Sequence, residues 1–329
     1  KVGYSSSTFL SIRTKQIEAL ERMLNFNNPV DSKTSWQENW KILIYDSFCR
    51  DMISTLFKVA DLRKHGVTLH LHIDSDRQQI LDVSAVYFVS PTTSNIVRIA
   101  KDCSAGLYDS FHLNFSMAVP QEELQRLATS VAESDSAEKI EKVFDQYMNF
   151  ISLDHCLFSL QMTDTYLRLN EPNATESDID QVVNTVVNSL FAALVTLQVV
   201  PIIRCSRNDA AGMVGERLHK KLHDHLLSTN NLFKDSAYSS GSYARPLLVL
   251  ADRSADLAVN LQHGWAYDSL LHDVLHMSLN KVSVADPDAP PAGAAAAARA
   301  KPPKTYDLGA TDAFWTDNAG QPFPKVTDE

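Results

Sequence analysis

His219 and His223 stand four residues apart with His225 close behind, a spacing that sets two imidazoles on one helix face and could hold a divalent cation. The intervening residues are Lys220, Lys221 and Leu222, so the glutamate of a metalloprotease helix is absent and two ammonium groups repel a dication. A solvated helix face is expected instead. His70 and His72 share one side of a strand-like run and are read as hydrogen-bonded structural residues, so no metal is assigned. Asp252-Arg253-Ser254-Ala255-Asp256 places two carboxylates around an arginine at a strand end, which would suit acid–base work. The preferred reading is structural: Arg253 ties the turn and Asp256 accepts backbone N–H bonds that start the next segment. Gly241-Ser242-Tyr243-Ala244 lacks the flanks of a nucleophile elbow. The first strand-to-helix turn, Asp46-Ser47-Phe48-Cys49-Arg50-Asp51, has no glycine to let a pyrophosphate approach the backbone, and no Gly-Lys-Ser/Thr occurs. No catalytic residue and no cofactor is assigned, and the chain is read as a non-enzyme.

Bulk properties narrow the partner classes. Forty acidic residues against thirty basic ones give a formal net charge of −10, which disfavours nucleic acid and anionic lipid, since both require clustered Lys and Arg. Any membrane contact is therefore expected to be indirect. Cys49, Cys103, Cys156 and Cys205 show no paired spacing, so buried free thiols in a reducing cytosol are expected. The first residues carry no charged flank leading into an apolar run, and nothing there marks a secretory signal. The apolar stretch 182–203 is broken by Asn184, Asn188, Gln198 and Pro201 and reads as a buried helix followed by a strand.

The elements that would carry these residues alternate. An amphipathic helix over 9–24 precedes a strand at 40–46, a helix over 52–65 closed by Gly66, and strands at 67–73 and 85–89. A helix over 92–101 and a strand at 112–115 follow, then two acidic helices over 121–132 and 137–150. Strand 156–160, helix 177–197, strand 199–205, helix 208–227 and a central strand at 246–253 form a second set, and a helix over 262–279 comes next. The fold class is α/β: a Rossmann-like parallel-sheet domain, a second α/β domain, and the truncated start of a mostly helical domain. The expected boundaries are 1–152, 153–260 (first part of domain two) and 261–329. The Ala/Pro-rich stretch 285–304 reads as a flexible linker. The aromatic-rich tail with Tyr306, Phe314, Trp315 and Phe323 suggests that the chain stops inside a domain.

Three runs in order, Trp40-Lys41-Ile42-Leu43-Ile44-Tyr45-Asp46, Ala85-Val86-Tyr87-Phe88-Val89-Ser90-Pro91-Thr92 and Pro246-Leu247-Leu248-Val249-Leu250-Ala251-Asp252-Arg253, resemble the hallmark strands of SM (Sec/Munc) proteins. Val143-Phe144-Asp145-Gln146-Tyr147-Met148-Asn149-Phe150-Ile151, Val200-Pro201-Ile202-Ile203-Arg204-Cys205-Ser206 and Thr305-Tyr306-Asp307-Leu308 are similar to the Sly-type branch, which serves transport between endoplasmic reticulum and Golgi. The Ala/Pro stretch departs from the family pattern.

The resemblance implies a monomeric cytoplasmic protein, peripherally attached to ER and Golgi membranes through SNAREs. Its implied role is to bind a Golgi-type syntaxin, by the N-terminal peptide and helical segments, and the assembled SNARE complex, and to promote vesicle fusion. It also implies a pocket for an aromatic of that peptide on the outer face of domain one. The matching positions are Leu124, Leu127 and Ala128 from one expected helix and Ile140, Val143, Phe144 and Tyr147 from the next. Spacings of three and four would set each group on one helix face, so that two helices form a groove. On that picture Leu127→Lys abolishes peptide capture with the melting temperature nearly unchanged. The competing readings are an α/β scaffold with an unrelated partner and an enzyme of unknown chemistry.

Overall fold

The computed structural model describes residues 11–28, 40–229, 231–233, 245–284, 304–309 and 312–328. It divides into two compact units, Lys1–Asp252 and Arg253–Glu329. Helix α1 (Ile12–Leu24) opens the first, with the Ser11 hydroxyl accepting from Thr14 N at its cap. Strand β1 (Lys41–Tyr45), helices α2 (Ser47–Leu56) and α3 (Val59–Lys64), and strands β2 (Val67–His72) and β3 (Ser84–Val89) follow. Helix α4 (Thr93–Ser104), strand β4 (Phe111–Phe115), helix α5 (Gln121–Glu133) and strand β5 (Ile140–Asp145) complete a five-stranded sheet. Every pairing in it is parallel, and the order is β2-β1-β3-β4-β5, which leaves β5 at one edge.

Two departures from the sequence reading lie within this sheet. The helix expected over 52–65 is broken where Phe57 and Lys58 turn extended, and the Asp61 carboxylate restarts it by accepting from Lys58 N. The second acidic helix, expected over 137–150, is absent: after a single 3-10 turn at Ala137–Lys139 the chain enters β5. Ile140, Val143 and Phe144 are β-branched or aromatic and favour a strand, and β4 offers the open ladder with which this segment pairs.

One face of the sheet, through Ile44, Tyr87, Leu113 and Phe115, packs against Ile96, Ile99 and Cys103 of α4 and Leu127 and Val131 of α5. Buried Asp102 on α4 pairs with buried Arg77 and accepts from the Tyr87 hydroxyl, which fixes the β2–β3 crossover to the helix. The opposite face receives the end of α1. Lys41 Nζ donates to Leu24 O at 2.6 Å and sits 4.4 Å from the Phe26 ring centroid; burial pushes its pKa down to about 8. Asn27 Nδ2 donates to Asn114 Oδ1, and Lys142 Nζ to Phe26 O.

Where a strand was expected at 156–160, the chain forms an antiparallel hairpin of β6 (Ile151–Asp154) and β7 (Leu157–Ser159). Fully buried Gln16 of α1 serves its backbone from both ends: Nε2 donates to Phe150 O at 2.7 Å and Oε1 accepts from Ser152 N at 3.1 Å. Replacing it by leucine strands a buried carbonyl and N–H, and Gln16→Leu is expected to lower the unfolding free energy by about 2–4 kcal/mol in urea titration.

Helices α6 (Thr165–Asn170), α7 (Glu176–Leu197) and α8 (Ala210–Leu227) and the parallel pair β8 (Ile202–Cys205) and β9 (Leu247–Leu250) build a second core. Although α7 is long and apolar enough to span a bilayer, Val183, Val187, Phe191 and Leu194 lie buried in that core. The strand expected to be central at 246–253 differs from the reading: Leu247 and Val249 are exposed, and only the alternate residues Leu248 and Leu250 pack inward. Gly215 lets α8 approach β8, since a Cβ there would meet Cys205 Sγ at 2.6 Å. The thiols are all free, but Cys156 is exposed, contrary to the expectation that all four are buried.

In the second unit the helix expected over 262–279 shrinks to α9 (Tyr267–Leu275), followed by β10 (Lys281–Val284). Strand β11 (Lys304–Asp307) pairs antiparallel with β10, Val284 opposite Lys304. Residues 285–303, read as a flexible linker, lie outside the described residues, between the paired strands β10 and β11. Helices α10 (Ala313–Asn318) and α11 (Phe323–Thr327) set Phe314, Trp315 and Phe323 around the Tyr267 ring at 6.0–6.4 Å between centroids.

Candidate partner-binding site

The seven positions expected to form an apolar pocket do not converge as one group. Strand β5 carries an extra residue opposite the Phe111/His112 step of β4, so Ile140 faces Phe111 and Val143 faces Leu113. Without that bulge a spacing of three would point them to opposite faces; with it both lie on the side covered by α5. Ile140 packs half-buried against the core that contains Leu127. Phe144, in register with Asn114, lies on the other face of the sheet, as does Lys142. Tyr147 leaves the strand at φ +51°, packs edge-on against Phe191 at 5.8 Å and holds Thr196 Oγ1 on its carbonyl, so it belongs to the second core.

The remaining five positions lie on helix α5 and the edge strand β5. Leu127, only 3% exposed, and half-buried Ile140 pack in the core under the sheet. Leu124 (42% exposed) and exposed Ala128 share the Leu127 side of α5 by their spacing, and Val143 (43% exposed) stands on β5. The expectation that Leu127→Lys would leave stability unchanged is therefore corrected: its side chain is part of the core. Sequence reasoning also missed Asp145, two residues beyond Val143 on the same face of β5. Its carboxyl accepts from Val119 N at 3.3 Å, and burial raises its pKa. Reading 137–150 as a helix hid it, because alternation along a strand is the signal that would have placed it.

The other chemical candidates resolve into structural roles. Tyr45 Oη lies 2.8 Å from His70 Nδ1, and Ser47 Oγ 3.0 Å from His72 Nε2. His219 and His223 stack at 6.4 Å, and among the described residues no group of three or more His, Cys, Asp or Glu converges. Asp256 accepts from Ala258 N and Val259 N at a turn. Gly241-Ser242-Tyr243-Ala244 lies outside the described residues.

The sheet order reverses direction between β1 and β3, the crevice where doubly wound sheets take phosphate ligands. Here the Asp46 carboxylate fills it, accepting from Cys49 N (2.8 Å), Ser90 N (2.7 Å) and Asn95 Nδ2 (3.1 Å). The donors that would cradle an anion are thus spent on a side chain of the chain itself.

Comparison with known proteins identifies the family of the chain. The family model described as Sec1 family matches residues 41–329. The Arabidopsis thaliana protein named SEC1 family transport protein SLY1 is 46% identical over 97% of this chain and 49% of its own length. Sec1 family domain-containing protein 1 of Homo sapiens is 44% identical over 97% of this chain and 51% of its own. The chain thus spans about half the length of the curated relatives it matches. Among solved structures, that of Sly1p in complex with an N-terminal peptide of Sed5p superposes with a TM-score of 0.81 at 33% identity, covering 96% of this chain and 51% of that one.

Proposed function

Because the chain belongs to the Sec1 family, we propose that it is a non-enzymatic SNARE-binding protein that captures a Golgi-type syntaxin by its N-terminal peptide at the α5–β5 site. The observation that carries this reading is the pair of exposed apolar side chains, Leu124 and Val143, flanking a buried floor at the open edge of the sheet. A solved relative at 33% identity was crystallised with such a peptide, which supports the same use here.

The mechanism is pre-organised docking. Seating one aromatic side chain over Leu127 and Ile140 contributes about 2–3 kcal/mol before association costs, which alone is too little for stable capture. The free edge of β5 adds main-chain hydrogen bonds to an extended peptide, and Asp145 favours a basic residue beside the anchor. In this reading residues 1–152 act as the syntaxin-binding domain, 153–260 as the first part of domain two and 261–329 as the start of domain three. The protein works as a cytoplasmic monomer. It is held at ER and Golgi membranes only through SNAREs, whose helical segments and assembled complex it also binds to promote fusion.

Calorimetric titration with a Golgi-syntaxin N-terminal peptide tests the reading. Wild type is expected to bind, and Val143→Lys to weaken binding by about 10- to 100-fold while unfolding within about 1 kcal/mol of wild type. Unaltered affinity in that variant would move the site elsewhere.

A further inference from the structure

The far side of α5 holds a second groove, shared with α4, of about 310 Å³. Its floor is apolar: Ile96 and Ala100 are buried, and Val97 beside them is left 55% exposed. Its rim is basic, with Lys101 from α4 and Arg126 from α5, and no carboxylate lines it. In a chain of net charge −10 this is a local inversion of sign. Among the described residues the Lys101 ammonium has no hydrogen bond or ion pair. Arg126 reaches only Glu123, at 3.7 Å, beyond hydrogen-bonding distance. Glu123 is itself engaged elsewhere, accepting from the Thr93 hydroxyl at 2.8 Å. Lys101 is therefore presented over an apolar floor without a partner, beside an Arg126 held only in a loose ion pair with Glu123.

We propose that this groove is a second docking site, for an acidic amphipathic segment of a protein partner other than the peptide held at the α5–β5 site. One aliphatic side chain of that segment packs on Val97 and Ala100, and a carboxylate sits between Lys101 and Arg126. A helix presenting leucine and glutamate at spacings of three and four meets both requirements from one face. The volume suits a single side chain, so the apolar contact sets the register and the charges supply specificity and speed of encounter. An anionic bilayer fits less well, because surface recruitment takes clusters of four or more basic residues on a broad face and the rim holds two. The two sites lie on opposite sides of one helix about 10 Å across, so both can be filled at once. The proposal does not rest on the syntaxin reading.

The test uses the full chain and a fluorescein-labelled synthetic peptide of about 15 residues with leucines and glutamates on one helical face. A counterpart with glutamine for glutamate is the control, and anisotropy is read at low and at physiological salt. Wild type is expected to bind the glutamate peptide about tenfold or more tightly than the glutamine one, the gap narrowing as salt rises. K101E with R126E is expected to lose about tenfold or more, and V97D as much through the apolar half. Both leave affinity for the Golgi-syntaxin peptide unchanged, whereas Val143→Lys does the reverse. Equal affinity for the two labelled peptides, indifference to both the charge reversal and V97D, or binding to phosphatidylserine vesicles without binding to either peptide would overturn the proposal.

Discussion

Replacing Asp46 by alanine will cost the protein about 3–5 kcal/mol of unfolding free energy, a large share of what a domain of this size holds. One carboxylate caps α2 through Cys49 N and at the same time receives Ser90 N from the end of β3 and Asn95 Nδ2 from α4. Loss of a cap accounts for about 0.5–2 kcal/mol, and each charged hydrogen bond left open adds about 1.5–3 kcal/mol, offset in part by water entering the gap. Urea titration with fluorescence detection reads the loss. A loss below about 1 kcal/mol would mean that the crevice refills without the carboxylate. The variant carries a second, sharper expectation. With the carboxylate gone, its donors face an empty site of anion size, so inorganic phosphate or sulfate should raise the melting temperature of Asp46→Ala by mass action and leave wild type unmoved. Equal response of both proteins would show that the crevice is not the place the ion binds.

Leu127→Lys will be destabilising by about 4 kcal/mol or more. The side chain is 3% exposed in the core under the sheet, and lysine there loses about 1.5–3 kcal/mol of apolar burial and must also bring an ammonium into surroundings that offer it no partner. Leu124→Lys and Val143→Lys place the same charge on side chains that are 42% and 43% exposed and should shift stability by no more than about 1 kcal/mol. Peptide capture should fail in all three, for different reasons: the rim variants remain folded and lose the contact, while the floor variant loses the fold around it. Thermal melts run beside calorimetry separate the cases. A Leu127→Lys protein that melts with wild type would show that the floor opens to solvent.

The candidate site illustrates where a linear reading stops. Ile140, Val143, Phe144 and Tyr147 carry intervals of three and four, and on that evidence alone they belong to one helix face. The interval has a second physical realisation, a strand with one extra residue, and β4 offers the ladder that makes it favourable. The bulge keeps Ile140 and Val143 beside α5, sends Phe144 to the opposite face and leaves Tyr147 to the neighbouring core. Of the seven expected positions the helix α5 set was legible, because Leu124, Leu127 and Ala128 have no competing pairing partner. Their depth was not: Leu127 is buried in the core and Leu124 is 42% exposed, a difference set by which part of α5 packs on the sheet.

The sequence by itself determined much of the alternation of strands and helices, because short, mostly apolar runs such as Lys41–Tyr45 and Ser84–Val89 are buried on both faces. It also determined the family, through the order of those runs. Tertiary structure alone decided that β5 is an edge, that β10 pairs with β11, and that Asp46 closes the crevice. Each of these depends on which backbone groups find partners far away in the chain, and local periodicity carries no record of that pairing.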